Sequence, residues 1–149
     1  MNSNPRSDAE LLSGIYKSVR SGADNLCTVT PKITDRFMLT EVTSQIERYS
    51  EYAKKTEKMM RDRSLAPREP SLASRLLSRG AIAVGSFPGT GRAEIAEMIV
   101  RGENRDARRL GEKLEKCSKE GCHPDVSSLC REVIGFELNG AEKMKDFLS

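Results

Sequence analysis

The sequence has no tryptophan, one histidine, four cysteines, five per cent aromatic residues and no apolar run longer than Gly80–Gly85. A membrane-spanning helix needs ~18 or more apolar residues in succession, so no segment reads as a span. The polar start, Met1 to Glu10, lacks the apolar core of a secretory signal, and the expected compartment is the cytoplasm. Charge of one sign is also scarce: 25 Lys and Arg stand against 22 Asp and Glu, a net charge of +3. That balance excludes a disordered polyelectrolyte and falls short of the strongly basic profile of nucleic-acid binders. Repeats, low-complexity tracts and composition shifts are missing as well. The 149 residues, 37 per cent of them hydrophobic, therefore read as one domain, with residues 1–7 a flexible N-terminal segment. A chain of this length can bury about 70 per cent of its unfolded surface.

The apolar residues that are present fall on helical spacing. Leu12, Ile15, Val19, Gly22, Leu26 and Val29 alternate steps of three and four, which puts them on one face of a helix. Ser7-Asp8-Ala9-Glu10 has the letters of a capping box and predicts the start of that helix. Thr30-Pro31 predicts the start of the next, because proline at the first helical position sacrifices no hydrogen bond. Leu39, Val42, Ile46, Tyr49, Ala53, Thr56 and Met60 form the second stripe, flanked by the row Met38, Gln45, Tyr52 and Met59. Prolines at 67 and 70 mark a crossing loop.

Leu72, Leu76 and Ala83 indicate a further helical piece, interrupted by Gly85-Ser-Phe-Pro-Gly-Thr-Gly91. Helix resumes near Arg92, with Ile95, Ile99, Ala107, Leu110, Leu114 and Cys117 on its inner face. Gly121 ends it, and Pro124 opens a last helix through Val126, Leu129, Val133, Phe136, Gly140, Met144 and Phe147. The expected spans are 8–29, 32–63, 71–84 with 92–117, and 124–148. They make an all-α, up-down four-helix bundle whose third helix is interrupted near residues 85–91.

Gln45-Ile-Glu-Arg-Tyr49, Ile95-Ala-Glu-Met-Ile-Val-Arg-Gly102, Gly135-Phe-Glu-Leu-Asn139 and Phe147-Leu148 resemble a group of uncharacterised ferritin-like bundle proteins of anaerobic bacteria, over about residues 8 to 148. The resemblance implies architecture and no assigned activity. A ferritin-like di-iron centre takes a Glu from each of two helices and Glu-x-x-His from each of the other two. This chain has a single histidine, in Glu120-Gly-Cys-His123, where Gly121 and Pro124 imply a turn. The di-iron ligand set is lacking.

Cys117, Cys122, His123 and Cys130 form the chain's one concentration of good metal ligands, and four such ligands suit tetrahedral zinc. In an up-down bundle the end of the first helix should meet the turn between the third and fourth, which would add Cys27. Packing competes with that reading, since a free cysteine behaves as a small apolar residue. Gly89, Gly91 and Arg92 precede a helix start and could hold an anion, although the stretch lacks the ending of a nucleotide loop. Arg101, Arg105, Arg108 and Arg109 are interleaved with Glu103, Asp106 and Glu112, as on a solvated, salt-bridged face. Glu41, Gln45 and Glu137 border the inner stripes, where a buried acid would matter chemically. No nucleophile and base pair off in the sequence, so no enzyme is implied. The expected role is a non-catalytic scaffold or protein-interaction module that binds a protein partner or itself, with Met38, Gln45, Tyr52 and Met59 as the candidate contact, a row that core packing explains equally well. The alternative is a thiol-based zinc or redox-responsive protein.

Overall fold

The computed structural model describes residues 3–67 and 91–149. Four helices carry the fold: α1 (Pro5–Val29), α2 (Arg36–Arg61), α3 (Arg92–Glu120) and α4 (Pro124–Met144). Short 3₁₀ turns at Thr30–Lys32 and Lys145–Phe147 follow α1 and α4. The expected helical piece at 71–84 and the break at 85–90, Gly89 included, lie outside the described residues.

The stripe residues form most of the core, except that Leu39 is exposed and Met38 of the flanking row is buried in its place. Leu12, Ile15, Val19, Leu26 and Val29 of α1 pack with Val42, Tyr49, Ala53 and Met60 of α2 and with Ile95, Ile99, Leu110, Leu129 and Val133 of the other two helices. The helix starts differ from expectation. Asn4, not Ser7, caps α1: its side chain accepts from the backbone N–H groups of Arg6 and Ser7, and Pro5 takes the first helical position. Residues 4–7, expected to be flexible, are thereby tied down, and Asn4 N–H also donates to Gly121 O at 2.9 Å. The helix α2 starts four residues later than expected. Thr30 turns its hydroxyl back to Leu26 O, and Asp35 supplies the cap, its carboxylate accepting from Met38 N–H at 2.9 Å.

The result is an all-α four-helix bundle in which α1 runs antiparallel to α2 and to α3, and α4 antiparallel to α3 and to α2. Chain direction follows from the side-chain contacts. Ser7 donates to Glu120, and Glu10 pairs with Lys116, so the start of α1 meets the end of α3. Arg92 pairs with Asp35 at 3.0 Å, so α3 begins at the pole where α2 begins. The helices α2 and α3 consequently run the same way. This corrects one expectation: the α1–α2 connection and the α3–α4 turn sit at opposite poles, because α3 packs antiparallel on α1.

Candidate metal and thiol site

The pole formed by the start of α1 and the α3–α4 turn contains Asp8, Cys117 and Cys122, one ligand atom of each lying within 4.8 Å of the others. Each is placed for a local reason. Asp8 stands four residues before Leu12 on the apolar face of α1 and is only 3 % exposed. Cys117 ends the inner face of α3, also 3 % exposed. Gly121 terminates α3 at φ 101°, a backbone conformation natural to glycine, and turns Cys122 back over the helix end.

One oxygen organises the group. Asp8 Oδ1 accepts the backbone N–H of His123 at 2.8 Å and the Cys117 thiol at 4.0 Å. Burial, reinforced by the neighbouring Cys122 thiol and by the charges of Asp8 and Glu120, pushes the Cys117 thiol up to about 12. It is therefore protonated at neutral pH and a poor nucleophile. A divalent cation would reverse this, displacing the thiol protons and satisfying the carboxylate.

The five sequence candidates separate. Cys117 and Cys122 come together. The His123 ring is committed to α4, where Nδ1 accepts from Asp125 N–H at 3.1 Å as the helix cap. Cys130 is buried, donates to Leu110 O at 3.8 Å and is pushed up to about 12 chiefly by burial, as befits a packing thiol. Cys27 is exposed and sits nineteen residues beyond Asp8 on the same helix, ~28 Å away at ~1.5 Å per residue. It belongs to the other pole. Asp8 is the member that sequence reasoning missed. Its letters fitted a capping box, yet its four-residue spacing to Leu12 marked it as an acid on an apolar face.

The other candidate groups also resolve. Met38, Gln45 and Tyr52 are buried in the chain's own bundle, and Met59 packs against the same core, so of the two readings of this row core packing holds and an outward contact does not. Gly91 caps α3 through its backbone, while the Arg92 guanidinium is engaged by Asp35 and by the carbonyl of Ser149. Arg101 pairs with Glu97, and Arg105 with Asp106.

A second polar cluster lies at mid-bundle. Glu137 is fully buried and accepts from Tyr49 Oη at 3.2 Å and Ser18 Oγ at 3.3 Å. Glu103, 4 % exposed, was read from the sequence as a surface acid among arginines, although Ile99, Glu103, Ala107 and Leu110 share one helical face. Burial first, then the charge of Glu137, raises Glu103 to about 9, and burial, then Asp106, raises Glu137 to about 8. Gln45 donates to Glu41 at 2.8 Å and more weakly to Gly140 O.

No family model matches the sequence, and no curated protein matches it. The structure is similar to the crystal structure of a DUF305 fragment from Deinococcus radiodurans, with a TM-score of 0.73 and 12 % sequence identity, covering 99 % of this chain and 98 % of that one. At that identity the two share a fold, and nothing about activity follows. Among the described residues no helix is long and apolar enough to cross a membrane.

Proposed function

We propose that the protein is a non-catalytic helical-bundle scaffold whose pole is fastened by a divalent metal, zinc by its chemistry, held by Cys117, Cys122 and Asp8. The observation that carries the reading is the convergence of two thiols and a carboxylate from α1, the end of α3 and the turn within 4.8 Å. Two thiolates on ~2.3 Å bonds with one carboxylate oxygen suit a tetrahedral, borderline-soft ion, with water in the fourth position. The Asp8 oxygen is already oriented by the His123 backbone N–H, as a supporting hydrogen bond should do. Binding releases the two thiol protons and joins the first turn of α1 to the α3–α4 turn. The non-catalytic part is supported by His123, whose ring is used in capping α4. Kinship with ferritin-like bundles of anaerobic bacteria belongs to the same proposal and rests on the sequence motifs. So does a cytoplasmic setting, which would keep both thiols reduced.

The test is elemental analysis of protein purified under reducing conditions. One zinc per chain, lost in the Cys117→Ala and Cys122→Ala variants, is the expected result. Metal-free protein with freely titrating thiols overturns the proposal. If zinc leaves the melting temperature unchanged while mild oxidation joins Cys117 to Cys122, the redox reading replaces it.

A further inference from the structure

A cavity of about 290 Å³ between α1 and α3 leads from the surface towards the mid-bundle acids. Leu26, Val29, Met98 and Ile99 give it apolar walls, and the buried Tyr49 ring and Glu103 carboxyl form its inner end. Its size falls at the lower edge of the range for small-molecule pockets, and its lining has the usual composition of apolar walls with few polar groups. The two arginines at the mouth are neutralised, Arg101 by Glu97 and Arg105 by Asp106. At the inner end Glu103 faces other acids and, among the described residues, no cation. Neither oxygen of Glu103 receives a hydrogen bond, and Glu137 Oε1 and Gln45 Oε1 are also left without one.

The chain makes room for this arrangement. A Cβ on Gly22 would lie 2.5 Å from the Tyr49 ring, and one on Gly140 would lie 2.7 Å from Glu103 Oε2. Two helix-weakening glycines thus admit an aromatic face and a carboxyl to the core. Glu103 holds a proton in the empty site at neutral pH, and a ligand that brings N–H donors and positive charge would displace that proton and satisfy the carboxylate left behind. The Tyr49 ring offers a second attraction to a cation, and the walls cover an apolar body. A bare metal ion would use the carboxyl and leave the apolar walls without a role.

We propose that this cavity binds a small primary ammonium compound, an alkylamine or arylalkylamine, with its ammonium group on Glu103 and its hydrocarbon part against Leu26, Val29, Met98 and Ile99. This site is separate from the thiol pole. The experiment is calorimetric titration of the full chain with n-butylammonium and 2-phenylethylammonium chloride, using n-pentanol as the neutral counterpart and manganese chloride as the metal control. Saturable binding of one amine per chain is expected, at least tenfold tighter than pentanol. Glu103→Gln should weaken it at least tenfold. Met98→Trp, which narrows the mouth without touching the acid, should do likewise and carries the test if the first variant does not fold. Pentanol matching the amines, amine binding unchanged in both variants, or manganese binding that depends on Glu103 would each overturn the proposal.

Discussion

Replacing Glu103 by glutamine should flatten the pH dependence of stability and make the bundle more stable than the parent at pH 8. The groups around this carboxyl are Glu137 from α4, Glu41 and Tyr49 from α2, and Asp106 from its own helix. Three of the four are acids, and the fourth is a phenol whose own ionisation burial opposes. With Glu103 near 9 in the folded state and 4.5 in the unfolded chain, the folded protein holds the extra proton between those values. Stability from this group is fully present below about pH 4.5 and is lost as the pH rises through about 9. The slope is at most ~1.4 kcal/mol per pH unit, hence up to ~4 kcal/mol between pH 5 and pH 8. Relaxation of the core and water entry reduce this to ~1–2 kcal/mol. Urea denaturation followed by circular dichroism at pH 5, 6.5 and 8 measures the difference directly. Identical slopes for parent and variant, or a variant less stable than the parent at pH 8, would refute the reasoning.

Gly111→Ala and Gly135→Ala place a methyl in open space within helices and should each add up to ~1 kcal/mol in chemical denaturation. Gly22→Ala should instead cost ~1–3 kcal/mol, because Tyr49 is fixed by its bond to Glu137 and cannot withdraw from the new methyl. Asn4→Ala removes the cap of α1 and should lower stability by ~1 kcal/mol, visible as a lower thermal midpoint. In metal-free, reduced protein a colorimetric thiol reagent should modify Cys27 first, with Cys117 and Cys130 protected until unfolding. Fast reaction of all four thiols in the folded state would contradict the burial described.

The helices were legible because the three-four spacing of Leu12 to Val29 or Ile95 to Cys117 has no other geometric solution than one buried helix face. Helix starts were less so. Asn4-Pro5 and Ser7-x-x-Glu10 are both valid caps, and only the tertiary bonds of Ser7 to Glu120 and of Asp8 to His123 decide between them. Partner choice was not legible at all. An apolar stripe says that a face is buried without saying on which neighbour, so Cys27 was assigned to the pole opposite to its own. Asp8 and Glu103 were both readable as acids on apolar stripes, but a capping box and an arginine-rich stretch offered more familiar explanations.

The most direct test of the metal-fastened pole is a cobalt(II) titration of the reduced, metal-free protein under anaerobic conditions. Near-ultraviolet thiolate-to-cobalt absorption with the visible bands of tetrahedral cobalt is expected, saturating at one ion per chain, abolished by zinc and absent from the Cys117→Ala, Cys122→Ala double variant. Octahedral cobalt spectra with both thiols demonstrably reduced, or tetrahedral bands that persist in the double variant, would contradict it.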